Sequence, residues 1–139
     1  MAPGFSHSLR VRFNECDPQG IVFNANYLLY ADIAITELYR EAFGSWGEAM
    51  REHGIDMLVA EANVRYLATM HFDERFDLRV SLSRIGTTST TTEIEVRREA
   101  DVIARITVRH VVVDAERRLK APIPDAMRAA LEPYAAEPA

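Results

Sequence analysis

Asn14-Glu15-Cys16-Asp17-Pro18-Gln19-Gly20-Ile21-Val22-Phe23-Asn24-Ala25-Asn26-Tyr27 joins two segments of different period. Before it, Leu9-Arg10-Val11-Arg12-Phe13 alternates apolar and charged residues, which is the period of a strand. After it, Tyr27 to Phe43 carries the longest helical pattern in the chain. Pro18 and Gly20 mark the turn between the two. Asp17 therefore lies in a turn that leaves a strand and ends at a helix N-terminus. The unpaired N–H groups of a helix start can hold developing negative charge. Asp17 stands a few residues upstream, where its carboxylate can face the same point.

The helix after the turn is amphipathic. At 100° per residue, Tyr27, Leu28, Ala31, Ala34, Ile35, Leu38, Tyr39 and Ala42 fall together, opposite Asp32, Thr36, Glu37, Arg40 and Glu41. An apolar arc that wide needs a broad cover, and a sheet is the obvious partner. Asn24 or Asn26 is available as N-cap and Gly44 as the stop. Upstream, His7 to Phe13 forms the first strand, with Leu9, Val11 and Phe13 on one face, behind a loose lead-in at residues 1–6. Ser45 to His53 reads as a short second helix ended by Gly54. From there the period becomes two: Leu58 to Tyr66, Leu78 to Ser83, Thr90 to Arg98 and Val102 to Asp114 are strands separated by turn signals at Gly86 and Ala100-Asp101. A terminal helix runs from about Asp125 to Leu131. The order predicts an α+β fold, an antiparallel five-stranded sheet curled around one long central helix.

The chain has 139 residues, 48% of them hydrophobic, and reads as one domain over 1–139. A net charge of −5 argues against a nucleic-acid or membrane-surface role. One cysteine permits no internal disulfide, as in a reducing compartment. Met1 to Arg12 lacks the apolar run of a signal peptide, and no later stretch spans a bilayer, so the expectation is a cytoplasmic protein.

Asp17-Pro18-Gln19-Gly20-Ile21-Val22-Phe23, with Asn26-Tyr27 opening the helix, resembles the active-site signature of hotdog-fold acyl-CoA thioesterases, specifically the 4-hydroxybenzoyl-CoA thioesterase type. The element order, the Gly86-Thr87-Thr88-Ser89 turn and the Arg118-Leu119-Lys120-Ala121-Pro122-Ile123-Pro124 segment extend the resemblance over nearly the whole chain. It implies a catalytic carboxylate at Asp17 and an oxyanion donor at the Asn24 backbone N–H, with Glu15, Gly20 and Tyr27 in support. It also implies sites shared between two subunits of a homodimer, dimers that pair into a homotetramer, and no metal or organic cofactor. Many relatives carry His or an aromatic residue where this chain has Asn24. The backbone N–H survives that change, whereas a side-chain role for His does not.

A thioester is already activated, so hydrolysis needs only a nucleophile or base and a place for the carbonyl oxygen's charge. Asp17 can attack directly or act as general base on water; its alternative is a plain turn residue. Glu15 is the second carboxylate, either orienting water or merely solvated. Cys16 has no local His to activate it and reads as a small apolar filler. His110, on the apolar face of a strand, reads as a hydrogen-bonded core or interface histidine. Glu37 and Glu41 lie on the polar half of the helix, and Glu37 is the fallback carboxylate if Asp17 fails. For coenzyme A phosphates the candidates are Arg84, Thr88 and Ser89 at the Gly86 turn, and Arg118 and Lys120 in the basic stretch; a solubilising rim is the alternative for each. Thr stands at the turn where relatives can have several basic residues.

The leading expectation is an acyl-CoA thioesterase. An acyl-carrier-protein thioesterase and a non-catalytic acyl-CoA-binding module are its rivals. A hydratase is disfavoured, because residues 14–26 contain no histidine.

Overall fold

The computed structural model describes residues 4–136. Five strands form one antiparallel sheet: β1 (Phe5–Arg10), β2 (Ile55–Tyr66), β3 (Arg75–Ile85), β4 (Ser89–Arg98) and β5 (Asp101–Asp114). Three helices accompany it: α1 (Asn26–Phe43), α2 (Trp46–His53) and α3 (Asp125–Leu131). The α+β class and the antiparallel sheet match the sequence reading. The strand order does not follow the chain, because it runs β1-β3-β4-β5-β2. β2 pairs with β5 at the far edge, so residues 67–74 carry the chain across the sheet to β3.

Of the loose lead-in expected at residues 1–6, residues 1–3 lie outside the described residues, and the chain is already strand from Phe5. The first strand is displaced from its expected place. It ends at Arg10, and Phe13 opens a one-turn 3-10 helix, Phe13–Glu15, with its ring 78% exposed. The alternation continued through Val11, which is buried, but its N–H goes to the Glu74 carbonyl in the 67–74 connection and not to a strand. β2 also departs from simple alternation. A bulge between Val59 and Glu61 resets its register, and Leu58, Val59 and Tyr66 are exposed on this edge strand.

The core forms where the inner face of the sheet meets α1. Tyr27, Tyr30, Ala31, Ala34, Ile35, Leu38 and Tyr39 are buried on the helix. They pack with Leu78, Val80, Leu82, Ile94, Val96, Ala104 and Ile106 from the sheet. β4 shows why its register is well specified: Thr90, Thr92, Ile94 and Val96 are buried in strict alternation. Each large side chain so buried stabilises the fold by roughly 1.5–3 kcal/mol. Leu28 belongs to the expected apolar arc but is 45% exposed. Tyr30, outside that arc, is fully buried. A smaller cluster of Met50, Ile55, Val112, Ile123 and Met127 holds α2 and α3 to the β2–β5 end. No helix of the described residues is long and apolar enough to cross a membrane.

Candidate active site

The Asp17 turn is a small built structure. The Asp17 N–H donates to the Ile21 carbonyl and the Gly20 N–H to the Asp17 carbonyl, both at 2.9 Å. Gly20 has φ +83°, a conformation that L side chains rarely adopt, which explains the glycine. The Asp17 carboxylate accepts the Gln19 N–H at 2.8 Å. Cys16 bridges Val22, and Ile21 bridges His71, so the turn lies against the 67–74 connection.

Glu15 holds this turn to α1, and its expected alternatives both give way. It is neither a solvated loop charge nor a free carboxylate near water, because it is 7% exposed. Its Oε1 accepts the Arg12 N–H at 2.9 Å and the Tyr30 hydroxyl at 2.8 Å. Its carbonyl accepts the Phe23 N–H at 2.9 Å and the Asn26 side-chain amide at 2.7 Å. One residue thus fixes the strand exit, the turn and the helix start. Burial, then the Glu15 contact, pushes the Tyr30 hydroxyl well above its ordinary range, so it remains a donor.

The helix start is not capped as expected. Ala25 is the N-cap, with no side-chain cap bond, and the Asn26 side chain is turned back to Glu15. The Asn24 carbonyl is held by the Tyr66 hydroxyl at the end of β2, at 2.9 Å. Among the described residues the N–H groups of Asn24 and Ala25 have no acceptor. Tyr27 is buried edge-to-face against both Tyr30 and Tyr66, and burial first, then Tyr66, pushes its hydroxyl up to about 12. The Cys16 thiol is pushed up too, by desolvation first and then by Glu15 and Asp17, which is opposite to nucleophile activation.

The coenzyme A candidates lie elsewhere. The Asp17 turn lies against His71, in the connection that leads into β3 at Arg75, and Arg84, Thr88 and Ser89 surround the turn where β3 ends. Ten residue steps along a strand separate these poles by roughly 30 Å. Lys120 bridges Val113, the Ala121 N–H reaches the Val112 carbonyl and the Ile123 N–H the Thr87 carbonyl, so both candidate groups share the second pole. Arg118 is less available than expected, because Asp56 of β2 pairs with its guanidinium. Glu37 is paired with Arg40 one turn along α1, and Glu41 receives the Tyr134 hydroxyl at 2.6 Å. His110 is buried on the sheet as a core residue, but its Nδ1 has no partner among the described residues, unlike the hydrogen-bonded histidine expected, and burial lowers its pKa.

A cleft of about 650 Å³ lies at the second pole, lined by Trp46, Met50, Ile55 and Met57 among others. Another, of about 600 Å³, lies among charged residues where β3 begins. Neither is lined by Asp17. Among the described residues no three His, Cys, Asp or Glu gather as a metal site. Sequence reasoning missed Tyr30, Tyr66 and Arg128, which meet residues far from them in the chain, Arg128 by donating to the Ile85 and Gly86 carbonyls. The one available signal was Tyr30 as a polar-tipped residue beside the apolar arc.

The α+β fold thus carries a carboxylate in a braced turn, followed by free N–H groups at the start of α1. The chain belongs to the thioesterase-like superfamily, whose family profile matches residues 11–131. It is a thioester hydrolase. It is 26% identical over 121 residues to a 1,4-dihydroxy-2-naphthoyl-CoA hydrolase of Nostoc punctiforme, covering 87% of this chain and 82% of that one. A solved gentisyl-coenzyme A thioesterase superposes with a TM-score of 0.80 at 26% identity, covering 91% of this chain and 98% of the other. A 1,4-dihydroxy-2-naphthoyl-CoA thioesterase of Synechocystis gives 0.85 at 18% identity, over 92% and 95%, and at that identity shows the fold alone. The resemblance to hotdog-fold thioesterases drawn from the sequence is met.

Proposed function

We propose that this thioester hydrolase cleaves an acyl-CoA to a free acid and coenzyme A, with Asp17 as the reacting carboxylate and the Asn24 N–H as donor to the thioester oxygen. The observation that carries the proposal is the pairing of a braced Asp17 turn with two N–H groups that have no acceptor, at the opening of α1. Either of two routes balances. In one, an Asp17 oxygen attacks the carbonyl, the C–S bond breaks, the thiolate takes a proton from water, and a second water splits the anhydride. In the other, Asp17 takes the proton of a water that attacks the carbonyl, and that proton goes to the leaving sulfur. In both the helix start stabilises the developing oxyanion. Gly20 sets the turn, Glu15 braces it, and Tyr27 packs against Tyr66, which holds the Asn24 carbonyl. The relatives that act on hydroxylated aromatic acyl-CoAs make such acids the first substrates to try.

The same reading takes residues 1–139 as one cytoplasmic domain whose curved sheet wraps α1 as the central helix. It needs neither metal nor organic cofactor, and no nucleic-acid or membrane partner. It also takes two copies to complete a site. β2 is an edge strand with exposed Leu58, Val59 and Tyr66. Antiparallel pairing of β2 with its copy sets the Tyr66 end of one chain against the Ile55 end of the other. That brings Asp17 of one copy beside the basic pole and the cleft of its partner. Phe13 and Phe72, edge-to-face at 5.7 Å and both largely exposed, offer a further apolar surface for joining dimers into a homotetramer. A fully active monomer in sedimentation would remove this part of the reading.

The test is thiol release over aromatic, short, medium and long acyl-CoAs. Asp17→Asn is expected to lower turnover on the order of 10²–10⁴-fold with the fold intact. Near wild-type rates in that variant would end the proposal.

A further inference from the structure

The turn between β3 and β4 is held by more donors than a hairpin requires. Its four consecutive carbonyls all have partners from outside the hairpin. Arg128 of α3 donates to the Ile85 carbonyl at 3.3 Å and to the Gly86 carbonyl at 2.5 Å. The Ile123 N–H takes the Thr87 carbonyl and the Val112 N–H the Thr88 carbonyl, each at 2.8 Å. With the carbonyls turned inward, the N–H groups of Thr87 and Thr88 have no acceptor among the described residues. The turn is also positively charged. Arg84 folds over it, its Nε 3.5 Å from where a Cβ on Gly86 would stand. Neither Arg84 nor Arg128 forms an ion pair among the described residues, whereas Arg118 is neutralised by Asp56. Free backbone N–H groups beside uncompensated guanidinium charge are the chemistry of a phosphate site.

We propose that Arg128 is a positioning residue of the coenzyme A phosphate site, clamping the Ile85 and Gly86 carbonyls so that the Thr87 and Thr88 N–H groups face the phosphates. The inference rests on reading this turn as the coenzyme A edge. A guanidinium suits the task because Nη1 and Nη2 meet the two carbonyls separately in a fixed fork, whereas an ammonium has one nitrogen on a flexible stem and holds no such geometry. The effect is one of arrangement, and it bears on the nucleotide end of the substrate alone.

The experiment compares Arg128→Met and Arg128→Lys with the wild type on an acyl-CoA and on the matching acyl-pantetheine, which lacks the nucleotide phosphates. Losing a clamp of two charge-assisted hydrogen bonds is expected to raise the acyl-CoA KM about 5- to 20-fold in both variants. The acyl-CoA kcat and the acyl-pantetheine KM should stay within about twofold of wild type. A wild-type KM in Arg128→Lys would overturn the proposal, because charge alone would then suffice. Both substrates failing together would overturn it as well, by reducing Arg128 to a general support of the fold. If the wild type itself binds the two substrates equally, the coenzyme A edge has been misplaced. If Arg84→Ala loses the discrimination while Arg128→Met keeps it, the edge stands and Arg128 falls.

Discussion

Tyr30→Phe isolates the contact that ties the Asp17 turn to α1. The substitution removes only the hydroxyl that donates to Glu15 Oε1 at 2.8 Å. The ring keeps its packing, with centroids 4.8 Å from Phe76 and 5.8 Å from Tyr27. What is lost is one buried hydrogen bond to a carboxylate, which contributes about 1.5–3 kcal/mol. The lower half of that range applies, because Glu15 keeps the Arg12 N–H at 2.9 Å and the Arg12 guanidinium at 3.5 Å and is not stranded. A loss near 2 kcal/mol lowers the folded-to-unfolded ratio about 30-fold and Tm by roughly 4–8 °C for a chain of this size. Urea denaturation measures it directly, with a lower midpoint at unchanged slope. Turnover should fall as well, since Glu15 also anchors Phe23 and Asn26 at the helix start. An unchanged midpoint at unchanged slope would show that Glu15 is satisfied without Tyr30, and the brace would be refuted.

Gly20→Ala should cost about 1 kcal/mol from backbone conformation, read as a lower denaturation midpoint, since φ is +83° and a Cβ there meets nothing within 4 Å. A neutral outcome would mean that the turn relaxes freely. Burial depresses the folded pKa of His110, so the unfolded chain takes up a proton first as pH falls. Its contribution to stability is complete above about pH 6.5 and is lost as pH drops from there toward the folded value. His110→Leu should flatten the dependence of Tm on pH below that point, and an unchanged slope would contradict it.

Local chemistry carried much of this protein. The period change at Tyr27, the β-branched runs and the Gly44 and Gly54 stops place α1, α2 and four of the strands within a few residues, because each rests on neighbours in the chain. Asp17, Gly20 and Asn24 were legible as a group for the same reason: a Pro/Gly turn running into a helix is written in fourteen consecutive residues. Tertiary structure alone decided that β2 leaves β3 to pair with β5, since every strand has an apolar face that fits several neighbours. It decided that Glu15 is buried, because its partner Tyr30 arrives only when α1 folds back onto the turn. It also set the Gly86 turn and its basic residues at the far end of β3, roughly 30 Å along the strand from the end that follows the Asp17 turn's contact with His71. Local sequence fixes what a short segment can do with its own backbone; which distant side chain meets it depends on packing, and no residue of the segment encodes that.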